Sequence, residues 1–304
     1  MKILHITGTG HSGSTLLATL LAQNPNVSSC GELNQFPKAL AGVPHECSCG
    51  RLVTDCEFWR VVAKAWNEIL PDLHHNRHAQ QVRLLQREAT VQLKKHGRLN
   101  KNLSANAEQF VQALDALFLS LGSITGVDTL VDSSKNVGRA ALLAARSSHD
   151  VKIIHLIRDP RGVAWSHRKE RIKKPGTGEG SREGRSVVNT MQRWKRDNAL
   201  ALNLVRRYQS TALTLRYEDL VLDSDVVLKR ISALSGIDFG GVLDCLKENG
   251  QIAAPHMVAG NPNVRMRPVT QLMLDNSWRE NLTLFEKAWC VLSAYRLTNE
   301  FGYI

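Results

Sequence analysis

The chain has 304 residues, 43% of them apolar and 22% charged, with a formal net charge of +11; that is enough to bury the core of one α/β domain with insertions. No repeat, low-complexity tract or apolar run of membrane-spanning length occurs, which excludes solenoid, disordered and helical membrane classes. The positive charge calls for an anionic partner, but basic residues are not interleaved with aromatics and no helix-turn-helix, RRM or KH pattern is present, so nucleic acid is not expected.

The apolar run Lys2-Ile3-Leu4-His5-Ile6-Thr7 reads as a strand, and the apolar segment 16–21 as a helix. Between them lies Gly8-Thr9-Gly10-His11-Ser12-Gly13-Ser14-Thr15. A strand, a glycine-rich loop and a helix together form an anion cradle, in which backbone N–H groups and the helix N-terminus face a phosphate. Gly8, Gly13 and Thr15 keep the spacing of the nucleoside-triphosphate P-loop, yet Ser14 stands where that motif has lysine. Without the cation that neutralises the β- and γ-phosphates, ATP or GTP hydrolysis is disfavoured while the cradle stays intact.

A turn at Asn24-Pro25 leads into a short strand and then Cys30-Gly31-Glu32. The loop after a parallel strand borders the ligand crevice, so Glu32 falls beside the first loop, either as a general base or as a carboxylate complementing a helix dipole. Four of the six cysteines lie within residues 30–56. Cys47-Ser48-Cys49 lacks the spacing of paired zinc ligands, so with Cys56 it is read as a structural loop in preference to a zinc site, with a redox pair as a third reading. The chain begins its first strand at once, without a signal-peptide pattern, which predicts reduced thiols and a cytoplasmic location.

Residues 57–121 carry helical periodicity, a helical insertion or cap, with His74, His75 and His78 expected on a solvated face. A strand near 129–131 runs into Asp132-Ser133-Ser134-Lys135, where Asp132 or Ser133 can cap the helix at 139–146 and Lys135 can reach an anion. The strongest strand, 151–157, opens into Arg158-Asp159-Pro160-Arg161, with Asp159 as helix cap; Arg158 and Ser166 can converge on one anion, and His155 is core. Residues 169–186 read as a mobile basic loop, 187–208 as an amphipathic helix, and 212–217 as a further strand ending in Glu218-Asp219-Leu220. An irregular segment at 256–267 and a helix at 282–297 follow. Alternating strands and helices imply βα units, hence a parallel sheet with helices on both faces.

Taken together, Gly10-His11-Ser12-Gly13-Ser14-Thr15, Cys30-Gly31-Glu32, Asp132-Ser133-Ser134-Lys135, Arg158-Asp159-Pro160-Arg161, Arg216-Tyr217-Glu218-Asp219-Leu220 and Gly260-Asn261-Pro262 resemble the sulfotransferases that use 3′-phosphoadenosine 5′-phosphosulfate (PAPS), most closely bacterial family proteins and the tyrosylprotein and carbohydrate enzymes. The resemblance implies a single P-loop-like three-layer α/β domain over 1–304. It implies in-line transfer of a sulfuryl group to the hydroxyl of a small molecule, glycan or peptide, with PAP as product and no metal. Gly10, His11, Ser12, Gly13, Ser14 and Thr15 would hold the 5′-phosphosulfate. Arg158 and Ser166 would hold the 3′-phosphate, with Tyr217 near the nucleotide and Arg265 or Arg267 as a further contact. Glu32 would be the base, and Lys135 and His11 would stabilise the sulfuryl and leaving-group charge. His11 departs from the arginine or lysine usual in the family. A P-loop small-molecule kinase and a non-catalytic nucleotide- or glycan-binding protein are the alternatives.

Overall fold

The structure, a computed structural model, describes residues 1–71, 75–99, 106–173 and 186–304. Five strands, β1 (Lys2–Thr7), β2 (Val27–Gly31), β3 (Thr129–Lys135), β4 (Asp150–Ile157) and β5 (Ala212–Arg216), form one sheet in the order β2-β3-β1-β4-β5. Every pairing is parallel, with Ile3 of β1 opposite Leu130 of β3 on one side and Val151 of β4 on the other. Parallel strands need crossovers, and helices supply them: α1 (Ser14–Leu21), α2 (Phe36–Leu40), α3 (Glu57–Ile69), α4 (His75–His96), α5 (Asn106–Thr125), α6 (Val137–Arg146), α7 (Pro160–Lys173) and α8 (Val187–Arg207). After β5 come α9 (Tyr217–Leu222), α10 (Ser224–Ser235), α11 (Asp244–Asn249), α12 (Pro262–Arg265), α13 (Trp278–Asn281), α14 (Leu284–Leu292) and α15 (Tyr295–Glu300).

Side chains alternate across the sheet. Ile3, Leu130 and Ile153 enter one core with Trp59, Trp66, Phe110 and Phe118 of α3 and α5, whereas Leu4, Val131 and Ile154 enter a second with Leu17 of α1 and Ile231 of α10. A third core joins Val163 and Trp194 of α7 and α8 to Trp278 and Cys290. The expected three-layer α/β fold with a parallel sheet is the observed one, and the double burial explains why the strands read as apolar runs. The crossover that leaves β1 runs past β3 to β2, whereas the one that leaves its neighbour β4 runs the other way to β5, so the loops after β1 and β4 sit at the switch point where ligands bind.

Several local expectations are corrected. His78 is 3% exposed, with its ring near Trp66 and Phe110; the polar surroundings hid an inward-facing position of α4, while the side chains of His74 and His75 lie outside the described residues. Neither Asp132 nor Ser133 caps α6; Asn136 does, accepting from the Arg139 N–H. The helix expected at 282–297 is two, α14 and α15, parted at Ala294. Of the basic loop expected at 169–186, residues 169–173 extend α7, and 174–185 lie outside the described residues. Among the described residues no helix is long and apolar enough to cross a membrane.

Candidate active site

The first loop is held open by backbone geometry. Gly13 has φ 87, and a Cβ there would stand 2.3 Å from the Tyr217 ring, so only glycine lets α1 start against that ring. His11 also takes a left-handed φ of 67. No side chain caps α1 and no carboxylate stands in its first turn, which leaves its N–H groups and positive dipole end facing the loop. Ser12 Oγ is buried and has no hydrogen-bond partner, while a Cβ on Gly10 would meet nothing within 4 Å. An orphaned hydroxyl and an open backbone wall are what an anion cradle requires. Ser14 is buried at the head of α1, and Thr15 Oγ1 accepts the Asn261 N–H at 3.0 Å, which ties the 260–261 turn to the loop.

Adjacency of β2 and β3 brings Glu32 and Lys135 together from 103 residues apart; Lys135 Nζ donates to Glu32 Oε1. Both side chains are largely buried, at 13% and 17% exposed. Lys135 has a left-handed φ of 63, stabilised because its carbonyl accepts from the Gly8 N–H and the Thr7 hydroxyl, each at 3.2 Å. The Glu32 N–H donates to the Val258 carbonyl at 2.8 Å. Asp132 points away from the crevice: it is fully buried against Arg139 Nε (2.8 Å) and His5 Nδ1 (3.2 Å). Burial raises its pKa, but Arg139 and then His5 more than offset that and the carboxyl is held low.

The third contribution comes from the β4–α7 junction. Asp159 accepts from the Arg161 N–H at 2.8 Å, the capping role expected of it. Arg158 is nearly buried, with its guanidinium 4.5 Å from the Tyr217 ring centre. It donates to the carbonyls of His11 and Asp275, both at 3.1 Å. Eight residues along α7, Ser166 Oγ lies 3.0 Å from His11 Nδ1, and the His167 ring packs edge-on against His11. The Asp275 carboxylate also takes Lys169 Nζ at 3.1 Å. Its pKa is about 2: burial pushes it up, and the Ser277 hydroxyl and Lys169 outweigh burial.

The structure therefore groups His11 with Arg158, Ser166 and Tyr217, and pairs Glu32 with Lys135. Arg265 Nη1 donates to the Glu46 carbonyl at 2.8 Å, and Glu32 is among the charges that act on its guanidinium. Sequence reading missed Asp275, which holds Arg158 and Lys169; a lone aspartate 117 residues from Arg158 gives no local signal. It also missed His256, which meets Cys47, Cys49 and Cys56 so that four donor atoms lie within 4.8 Å of one another.

The sulfotransferase family model matches residues 4–240 of the chain. Among solved structures, the fold is similar to the sulfotransferase domain from the Synechococcus PCC 7002 olefin synthase, at 23% identity and a TM-score of 0.52 over 96% of this chain and 94% of that one. It is similar also to the sulfotransferase domain from the curacin biosynthetic pathway, at 18% identity and a TM-score of 0.52 over 96% of each chain. No curated protein sequence matches it.

Proposed function

The chain belongs to the sulfotransferase family, and from that premise we propose that it moves a sulfuryl group from PAPS to a hydroxyl acceptor by in-line transfer. The observation that carries this reading is the meeting of Arg158 and Ser166 with His11 of the first loop, which makes one continuous anion site out of two segments 147 residues apart. When bound, PAPS supplies the sulfuryl group and, as leaving group, PAP.

The first loop and the α1 N-terminus would receive the 5′-phosphosulfate, with the orphaned Ser12 hydroxyl as one donor. A sulfate-bearing donor has less charge there than a triphosphate, which accords with Ser14 replacing the P-loop lysine. Arg158, braced on Asp275 and stacked on Tyr217, and Ser166 would take the 3′-phosphate. His11, seated on Ser166 and His167, stands between the two anion sites and would stabilise charge on the bridging side. Lys135 exchanges Glu32 for anionic oxygens when donor binds, and the carboxylate so released takes the proton of the acceptor hydroxyl. Holding the reactants in line supplies much of the rate.

The test is a thermal shift followed by transfer. PAP raises Tm and ATP with Mg²⁺ does not, because only a ligand that binds the folded state stabilises it. Labelled sulfate then passes from PAPS to a member of a glycan, phenol, lipid and peptide panel. The converse Tm pattern would move the chain to the small-molecule kinases, and PAP binding without transfer to any acceptor would make it a non-catalytic nucleotide binder.

A further inference from the structure

Beside the strand that carries Glu32, three cysteines and one histidine from distant parts of the chain form a closed cluster. Cys47 and Cys49 lie on a tight knuckle in which the Cys47 N–H donates to the Arg51 carbonyl and the Gly50 N–H donates back to the Cys47 carbonyl, with Gly50 at φ 84. Cys47 forms a β-bridge to Val258, and the Gly50-to-Cys47 bond folds Ser48 and Cys49 into a turn, which brings the Cys47 and Cys49 sulfurs within 4.8 Å of each other. That corrects the objection that C-x-C cannot chelate. Cys56 is the residue preceding α3, placed by its N–H on the Leu52 carbonyl. His256 stacks on Phe58 with ring planes 11° apart, which aims Nδ1 at the sulfurs.

The distances match one metal ion. Cys47 Sγ and Cys56 Sγ are each 3.4 Å from His256 Nδ1. The sulfur of Cys56 is 3.7 Å from that of Cys49 and 3.8 Å from that of Cys47. A tetrahedral Zn²⁺ with its usual bond lengths to sulfur and imidazole nitrogen has edges of about 3.8 Å between sulfurs and about 3.5 Å between sulfur and nitrogen. A disulfide fits worse, since its sulfurs approach to about 2.05 Å, whereas Cys56 stands 3.7 and 3.8 Å from the other two sulfurs and all three thiols are free. Cys47 and Cys56 are buried whereas Cys49 and His256 are exposed, so an ion can enter from the outer side.

We propose that Cys47, Cys49, Cys56 and His256 bind one structural Zn²⁺. The three thiols enter as thiolates and release their protons to solvent, and the neutral imidazole contributes the Nδ1 lone pair. Four protein ligands fill a tetrahedral shell and leave no position for water, so the ion is not catalytic. Its work is to clamp residue 256 to the 47–56 loop. From there the chain runs through Val258, whose N–H donates to the Cys30 carbonyl and whose carbonyl accepts from Glu32, to Asn261 on Thr15. The clamp thus sits behind the wall that positions Glu32.

Elemental analysis of the reduced full-length protein, purified with ZnCl₂ present, should find about one zinc per chain. Replacement by Co²⁺ should give the visible d–d bands of tetrahedral cobalt together with thiolate charge-transfer bands. Cys49→Ser and His256→Ala, both at exposed positions, should lower zinc content about tenfold or more, with circular dichroism checking that they fold. If neither folds, the cobalt spectrum of the unaltered protein decides alone. Zinc-free wild-type protein that takes up no cobalt, full zinc content in either folded variant, or a disulfide among these cysteines in protein that has never met reductant would each overturn the assignment.

Discussion

At the scale of single residues, the site consists of side chains whose neighbours determine what they can do. Glu32 is held by Lys135, so the proton-taking role proposed for it depends on that lysine turning to another anion. Glu32→Gln should lower kcat about a hundredfold or more, the usual contribution of a positioned base, with the Kd for PAP close to wild type; near-normal turnover in a labelled-sulfate assay would remove it from the mechanism. Glu32 and Lys135 were each legible as strand-end residues facing a crevice. Their pairing was not, because it depends on β2 lying beside β3, a neighbour relation that chain order conceals.

Among the elements, the junctions carry the candidate site and the strands carry the register. Gly31 closes β2 at φ 72, and a Cβ there would stand 2.4 Å from the Val258 carbonyl oxygen. Gly31→Ala must strain the backbone or push away the Val258 segment on which Glu32 hangs, at about 1–3 kcal/mol. The expected outcome is a lower Tm and a fall in kcat larger than any loss of PAP affinity, read by calorimetry beside steady-state kinetics; an unaltered kcat would show that Glu32 need not be held by Val258. Element type was readable where the apolar pattern was long, as in 151–157 and 187–208, because buried strands and amphipathic helices have different periods. Burial was misread where tertiary packing overrode local composition: His78 lies in a polar stretch, on a helix as expected, yet is enclosed by Trp66 and Phe110.

For the whole molecule, stability should decline on acidification in two stages. His155, fully buried on β4 with Asn198, has its pKa brought from 6.5 to about 4, chiefly by burial. The unfolded chain therefore takes up this proton first, and stability falls as pH drops from about 6.5 to 4. Asp132 and Asp275 are also held below their ordinary value, which is 3.8, so their contribution is complete above that value and is lost beneath it. Urea midpoints at pH 7, 5 and 4 should fall in that order, and His155→Gln should show a shallower slope over that range. A flat wild-type profile would contradict the assignment of a neutral buried imidazole.

The amino-acid sequence by itself determined the parallel α/β architecture, the glycine-rich loop after β1 and the serine that stands in it where a P-loop has lysine, since these depend on local period, turn chemistry and residue type. Only the tertiary structure decided which strand ends meet, that His11 seats on Ser166, that Asp275 braces Arg158, and that His256 completes a cluster with cysteines some 200 residues earlier. The reason is physical: side chains brought together by sheet order and loop return share no spacing along the chain, so their meeting leaves no periodic trace in it.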